Sequence, residues 1–208
     1  MTVDEIVRRV RERSTRLASG LPVSHLPVDS DFSLNGVVPL PETWRPAAVL
    51  VPLVKHASGV TVLLTQRTAD MPSHAGQVAF PGGRREKRDI DAADTALREA
   101  QEEVGLERRY VEVVGAVDLY RTGTGFEITP VVGIVTPGFT PHADPREVAD
   151  VFEVPLDHFL DEKNHRIDSR KVAEGRERRF YAMPYGERYI WGATAGMLKN
   201  LQFILTSP

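Results

Sequence analysis

No cysteine occurs in the 208 residues, which removes disulfide scaffolds, thiolate zinc sites and thiol nucleophiles together. Long apolar runs are missing as well. The longest, residues 47–54, contains Pro52 and falls far short of a membrane span. Neither sign of charge dominates, with 26 Lys and Arg against 29 Asp and Glu and a net charge of −3, so general nucleic-acid binding is not expected. There is no internal repeat and no low-complexity tract. A Gly-x4-Gly-Lys-Ser/Thr phosphate loop, a complete Gly-x-Gly-x-x-Gly, a His-Glu-x-x-His helix and a Gly-x-Ser-x-Gly elbow are all lacking, which leaves zinc- and serine-based hydrolysis without support. What remains is the composition of a soluble globular protein, 41% hydrophobic and 26% charged, long enough to bury a sizeable core without covalent staples.

Residues 2–19 are predicted to form an amphipathic helix. Thr2 and Glu5 make a capping box, and Val3, Ile6, Val7, Val10 and Leu17 recur near helical spacing. Its five arginines suggest a transit peptide, but Asp4, Glu5 and Glu12 argue against one. Residues 20–46, interrupted by five prolines, read as an irregular arm, so the chain divides into an N-terminal helix and arm over 1–45 and a main domain over 46–208. Strands are expected at 47–54 and 60–66 around a hairpin turn at 56–59, and again at 77–80, 111–117, 127–135 and 180–184. A helix fits 92–104, with Asp91 as N-cap and Gly105 as stop, and a closing helix fits 191–205. Strands on both sides of one strong helix, without regular alternation, indicate a mixed α/β sandwich rather than a doubly wound sheet.

The chemistry is concentrated in Leu97-Arg98-Glu99-Ala100-Gln101-Glu102-Glu103-Val104-Gly105-Leu106. Helical spacing puts Glu99, Glu102 and Glu103 on one face, and Ala93, Leu97, Ala100 and Val104 on another that packs against the sheet. Carboxylates crowded this way repel one another unless a hard divalent cation lies between them. An arbitrary Glu-rich face is simply solvated. Here Gly82-Gly83 stands just upstream, where positive φ would let the backbone approach a ligand, offering carbonyls to a metal and N–H groups to a phosphate. Together the two features suit a polyphosphate substrate.

These residues resemble the Nudix family. Arg98 to Leu106 matches the second half of the Nudix box without a mismatch. The first half departs from it, because counting back fourteen positions from Arg98 reaches Arg84, not Gly, and counting back eight reaches Ile90, not Glu. A loop one residue longer, starting at Gly83, restores the pattern with Asp89 near the Glu position, and Asp89 receives no catalytic role. That extension is similar to the coenzyme A pyrophosphatase branch. So are Leu63-Leu64-Thr65-Gln66-Arg67-Thr68, His74, Gly76, Phe80-Pro81-Gly82-Gly83, Thr129-Pro130-Val131-Val132-Gly133, Val151-Phe152-Glu153-Val154-Pro155-Leu156 and Trp191-Gly192-Ala193-Thr194-Ala195. Thr68 stands where the branch has Ser, and Pro72 where it has Arg.

The resemblance implies a Nudix-type α/β/α sandwich around a mixed sheet. It also implies an enzyme that uses Mg²⁺ or Mn²⁺ to split coenzyme A or acyl-coenzyme A into 3′,5′-ADP and (acyl-)4′-phosphopantetheine. Glu99 and Glu103 then ligate the metal, and Glu102 shares between ligation and water activation. Arg98 positions a carboxylate, the Gly82 and Gly83 carbonyls are extra ligands, and Glu147 on a later loop is a candidate base. Arg67, His74 and Arg84 would meet substrate phosphates, with the charged run Arg84-Arg85-Glu86-Lys87-Arg88 as further cations. Other nucleoside diphosphate derivatives, such as a nucleotide sugar or an oxidised nucleotide, are the alternative substrates, and a non-catalytic binding module is the alternative class. The expected partner is a small molecule and not nucleic acid or membrane, with a homodimer left open. Nothing directs the chain out of the cytosol, and Thr206-Ser207-Pro208 is no peroxisomal tail, so a cytoplasmic location is expected.

Overall fold

The computed structural model describes residues 1–21, 30–35, 41–70, 74–171 and 177–207. Helix α1 is Val3–Ala18, and the Thr2 hydroxyl accepts from the Glu5 N–H as the capping box requires. The strands are β1 (Arg45–His56), β2 (Gly59–Arg67), β3 (Val78–Ala79), β4 (Gly82–Arg84), β5 (Val111–Ala116), β6 (Tyr120–Arg121), β7 (Phe126–Val135), β8 (Val148–Pro155), β9 (Arg166–Lys171) and β10 (Glu177–Ala182). Three more helices are α2 (Ala92–Val104), α3 (Leu156–Leu160) and α4 (Ala193–Thr206). Residues 22–29 and 36–40 of the arm expected over 20–46, and Pro72, lie outside the described residues.

β1 to β8 form one mixed sheet. Its path is β3-β2-β1-β7-β5, with β4 paired to β1, β6 to β7 and β8 to β2. β1 and β7 run parallel over ten residue pairs, and the other pairings are antiparallel. Alternate residues of the central strands face two separate cores. Ala48, Leu50, Leu63, Val131 and Val135 pack with Ala96, Leu97, Ala100 and Val104 of α2. Val49, Val51, Leu53, Val62, Leu64, Val132 and Ile134 pack with Ile6 and Val10 of α1, Phe159 of α3 and Leu198, Leu201 and Leu205 of α4. This is an α/β/α sandwich. Burial on both faces explains why β1 reads as a continuous apolar run rather than as an alternation.

α2 has the bounds and caps expected of it. Asp91 accepts from Asp94 N–H, and Gly105 closes the helix at φ 70°. The Gly-Gly pair departs from expectation. Neither Gly82 nor Gly83 has a positive φ; both are extended in β4, the strand that edges onto β1. Glycine is needed there for close approach. A Cβ at Gly82 would lie 2.5 Å from the Ala48 carbonyl oxygen, and one at Gly83 would lie 2.6–2.7 Å from the Glu99 carboxyl atoms. β9 was not foreseen; with β10 it forms a separate antiparallel hairpin. Its charged, unpatterned sequence carries no period-2 signal, which is why pairing rather than composition makes it a strand.

Candidate active site

α2 delivers its carboxylates to different places. Successive helical residues are about 100° apart, so Glu102 and Glu103 cannot share a direction. Glu99 and Glu103 point into a cleft of about 440 Å³, whereas Glu102 stays outside it with 52% of its side chain exposed. Glu102 pairs there with Arg98 at 3.1 Å and Arg88 at 3.3 Å. The same Arg98 nitrogen also donates to Glu99, so Glu102 stands beside Glu99 at the outer edge of the cleft.

Glu147 also lines the cleft. Its loop is stitched to the end of α2: the His142 N–H donates to the Val104 carbonyl and the Asp144 N–H to the Glu103 carbonyl. The Thr68 N–H in turn donates to the Glu147 carbonyl. Those backbone bonds bring a residue forty-odd positions away from α2 to the same cleft wall.

Glu103 is 6% exposed, and it accepts from the Gly82 N–H at 3.2 Å with Arg67 Nη1 3.9 Å away. Burial pushes its carboxyl up to about 8. The Gly82 hydrogen bond opposes that rise, the Glu99 charge adds to it, Arg67 opposes it and Glu147 adds to it. Glu99 is raised as well, chiefly by burial, against a 2.8 Å bond from Arg98. Partly desolvated carboxylates that repel one another, with the Gly82-Gly83 backbone beside them, offer oxygen donors of the kind that suit Mg²⁺ or Mn²⁺. Among the described residues no three His, Cys, Asp or Glu side chains are arranged to hold a metal ion as they stand. The donor chemistry fits such an ion.

Arg98 is the hub behind this wall. It donates to both Asp89 oxygens at 2.9 Å, to Glu99, to Glu102 and to the Arg84 carbonyl at 3.2 Å. Asp89 is buried and also accepts from the Glu86 N–H and the Thr95 hydroxyl, so the Arg98 guanidinium holds its carboxyl well below the usual range. Asp89 is therefore the anchor of Arg98. The box register that places it near the family Glu position was its only sequence signal.

Arg67, His74 and Arg84 all line the cleft, as do Gly82 and Gly83. His74 adopts φ 58° and its Nδ1 meets the Gln77 side chain at 2.9 Å. Among the described residues the buried Arg67 Nε has no hydrogen-bond partner. The rest of the charged run turns away, because Arg85 donates to the Ile90 carbonyl and Arg88 pairs with Glu86 and Glu102.

The far wall was missed by sequence reasoning. It consists of Arg170, Arg178 and Arg179 of the β9–β10 hairpin with Phe180 and Trp191. Residues 30–35 fasten this hairpin to the sheet. Asp31 accepts from Tyr120 hydroxyl, Gly123 N–H and Arg178, and the Asn35 side chain bonds both the N–H and the carbonyl of Arg179.

Half-buried Glu99 and buried Glu103 open from an α2–β4 corner inside an α/β/α sandwich, and comparison with known families identifies the domain that carries them. The NUDIX domain model matches residues 44–174. The chain belongs to the Nudix hydrolase family. It is 40% identical to a protein of Pectobacterium atrosepticum named uncharacterized Nudix hydrolase NudL, over 83% of this chain and 92% of that one. A protein of the same name from Citrobacter koseri is 44% identical over 76% of this chain and 81% of its own length. A solved MutT/nudix family protein from Enterococcus faecalis is similar over 96% of this chain and 73% of its own, at 18% identity and a TM-score of 0.49. As a Nudix hydrolase the chain is an enzyme of the pyrophosphohydrolase class. Among the described residues no helix is long and apolar enough to cross a membrane.

Proposed function

We propose that this Nudix hydrolase cleaves the pyrophosphate of coenzyme A or acyl-coenzyme A to 3′,5′-ADP and (acyl-)4′-phosphopantetheine. The observation that carries the reading is the two-ended cleft, with buried carboxylates at one wall and arginines beside aromatic rings at the other. Such a site accommodates a diphosphate bridge at the acidic end and a nucleotide at the basic one. The branch resemblance of the Leu63–Thr68 and Phe80–Gly83 stretches supports the same substrate.

Glu99 and Glu103, with the Gly82 and Gly83 carbonyls, would hold Mg²⁺ or Mn²⁺. When bound, the ion supplies charge screening for the diphosphate oxygens and Lewis acidity toward phosphorus. Arg98 keeps the Glu99 carboxylate aimed inward through its bond to that side chain and its anchor on Asp89. Arg67, His74 and Arg84 orient the diphosphate from the cleft rim. Glu147, on a loop separate from α2, takes a proton from the attacking water. Glu102, bonded to the same Arg98 nitrogen as Glu99, stands at the outer edge of the cleft, where it would share in holding the ion.

A panel of coenzyme A, acyl-coenzyme A, a nucleotide sugar and an oxidised nucleotide with Mg²⁺ and Mn²⁺, with products resolved by mass, tests this. The expected products are 3′,5′-ADP and 4′-phosphopantetheine. Rapid turnover of another compound with coenzyme A left intact would overturn the substrate assignment.

A further inference from the structure

The β9–β10 hairpin carries an electrostatic arrangement that the described residues leave half-compensated. Arg170 and Arg178 are direct partners across the antiparallel pair. Like charges opposite each other in such a pair are unfavourable unless an anion joins them. Arg178 has Asp31 at 2.7 Å, but among the described residues Arg170 has no carboxylate partner. It lies instead over the Trp191 ring, 5.0 Å from its centroid, and Trp191 packs on Phe180 with centroids 4.8 Å apart. All four side chains line the cleft.

We infer that Arg170 and Arg178 form a phosphomonoester subsite beside an aromatic wall of Trp191 and Phe180, selecting nucleotides that carry a further phosphate on the ribose. The inference rests on the coenzyme A reading above and names the groups that recognise its 3′-phosphate. Guanidinium groups pair with phosphate in a bidentate fork, and the aromatic rings offer a face to the base. Asp31 compensates only one of the two cations, so the pair keeps positive charge for the ligand. The chemistry at the carboxylate wall is untouched by this subsite, which acts on specificity alone.

The test compares kcat/KM for coenzyme A with that for the analogue lacking the 3′-phosphate, in the wild type, Arg170→Ala and Arg170→Lys. The wild-type ratio should favour coenzyme A. In Arg170→Ala the ratio should fall about tenfold or more through KM, as loss of one charge-assisted bond implies, and Arg170→Lys should recover part of it. A second readout needs no turnover: tryptophan fluorescence titration of the metal-free protein with 3′,5′-ADP and with 5′-AMP. Arg170→Ala should weaken 3′,5′-ADP selectively. Equal losses for both members of either comparison, or no change, would overturn the subsite. A wild type that cleaves neither coenzyme A nor its analogue, yet binds 3′,5′-ADP in preference to 5′-AMP through Arg170, would overturn the reaction assignment while upholding the subsite.

Discussion

Glu103 is the proposed cation ligand that burial perturbs most, and that burial gives it a measurable signature. Its carboxyl sits near 8 in the folded protein against an ordinary value of 4.5. In metal-free buffer the unfolded chain therefore loses this proton at lower pH than the folded one. Stability should fall as pH rises from about 4.5 to about 8 and level off above, by on the order of a few kcal/mol. Glu103→Gln removes that dependence. Its Tm in chelator should exceed the wild-type value at pH 8, and the gap should narrow at pH 5; a gap independent of pH would count against a buried, raised carboxyl. With Mg²⁺ the same variant should lose about 10³-fold in kcat, since a cation ligand is gone. Asp89 works in the opposite direction. Its carboxyl is lowered, so the stability it supplies is present above its ordinary value near 3.8 and lost as pH falls below it. Asp89→Ala leaves the Arg98 guanidinium, 10% exposed, without its main partner, and should cost about 3–5 kcal/mol by urea unfolding along with most of the activity.

At the scale of elements, β4 explains why two adjacent glycines precede the acidic helix. A side chain at either position would meet a neighbour, but the neighbours differ in how far they can yield. At Gly82 the obstacle is the backbone of β1, at Ala48 and Val49. Gly82→Ala should therefore strip β4 from the sheet edge and destabilise the protein by roughly 1–3 kcal/mol in chemical denaturation. At Gly83 the obstacle is the tip of Glu99, which can swing away. Gly83→Ala should keep near-native stability and lose activity, and the contrast between the two variants separates a packing role from a site role. Helix α2 itself was legible: its N-cap, its glycine stop and its apolar face toward β1 follow from local rules. The direction of its acidic residues was legible only in part, because a face defined by i, i+3 and i+4 spans an arc wide enough for Glu102 to fall outside the cleft.

Over the whole molecule, α1 is part of the structure that supports the site. Ile6 and Val10 are fully buried in the same core as the central strands and α4, and Arg13 is clamped to Asp118 by bonds of 2.6 and 2.7 Å. Ile6→Ala should lower stability by about 2–5 kcal/mol, read from the urea midpoint, as in any well-packed core. An unchanged midpoint would mean that the helix is only loosely attached. Sequence alone determined the features that rest on neighbours along the chain: the capped helices α1 and α2, the apolar central strands and the Arg98–Leu106 half-box. The tertiary structure decided which charges meet. Glu147 reaches Glu103 through backbone bonds from a distant loop, and Arg170 and Arg178 reach the cleft through a hairpin held by Asp31 and Asn35. Such encounters depend on long-range strand pairing and loop docking, whose energies come from surfaces buried between segments and leave no periodic trace in either segment.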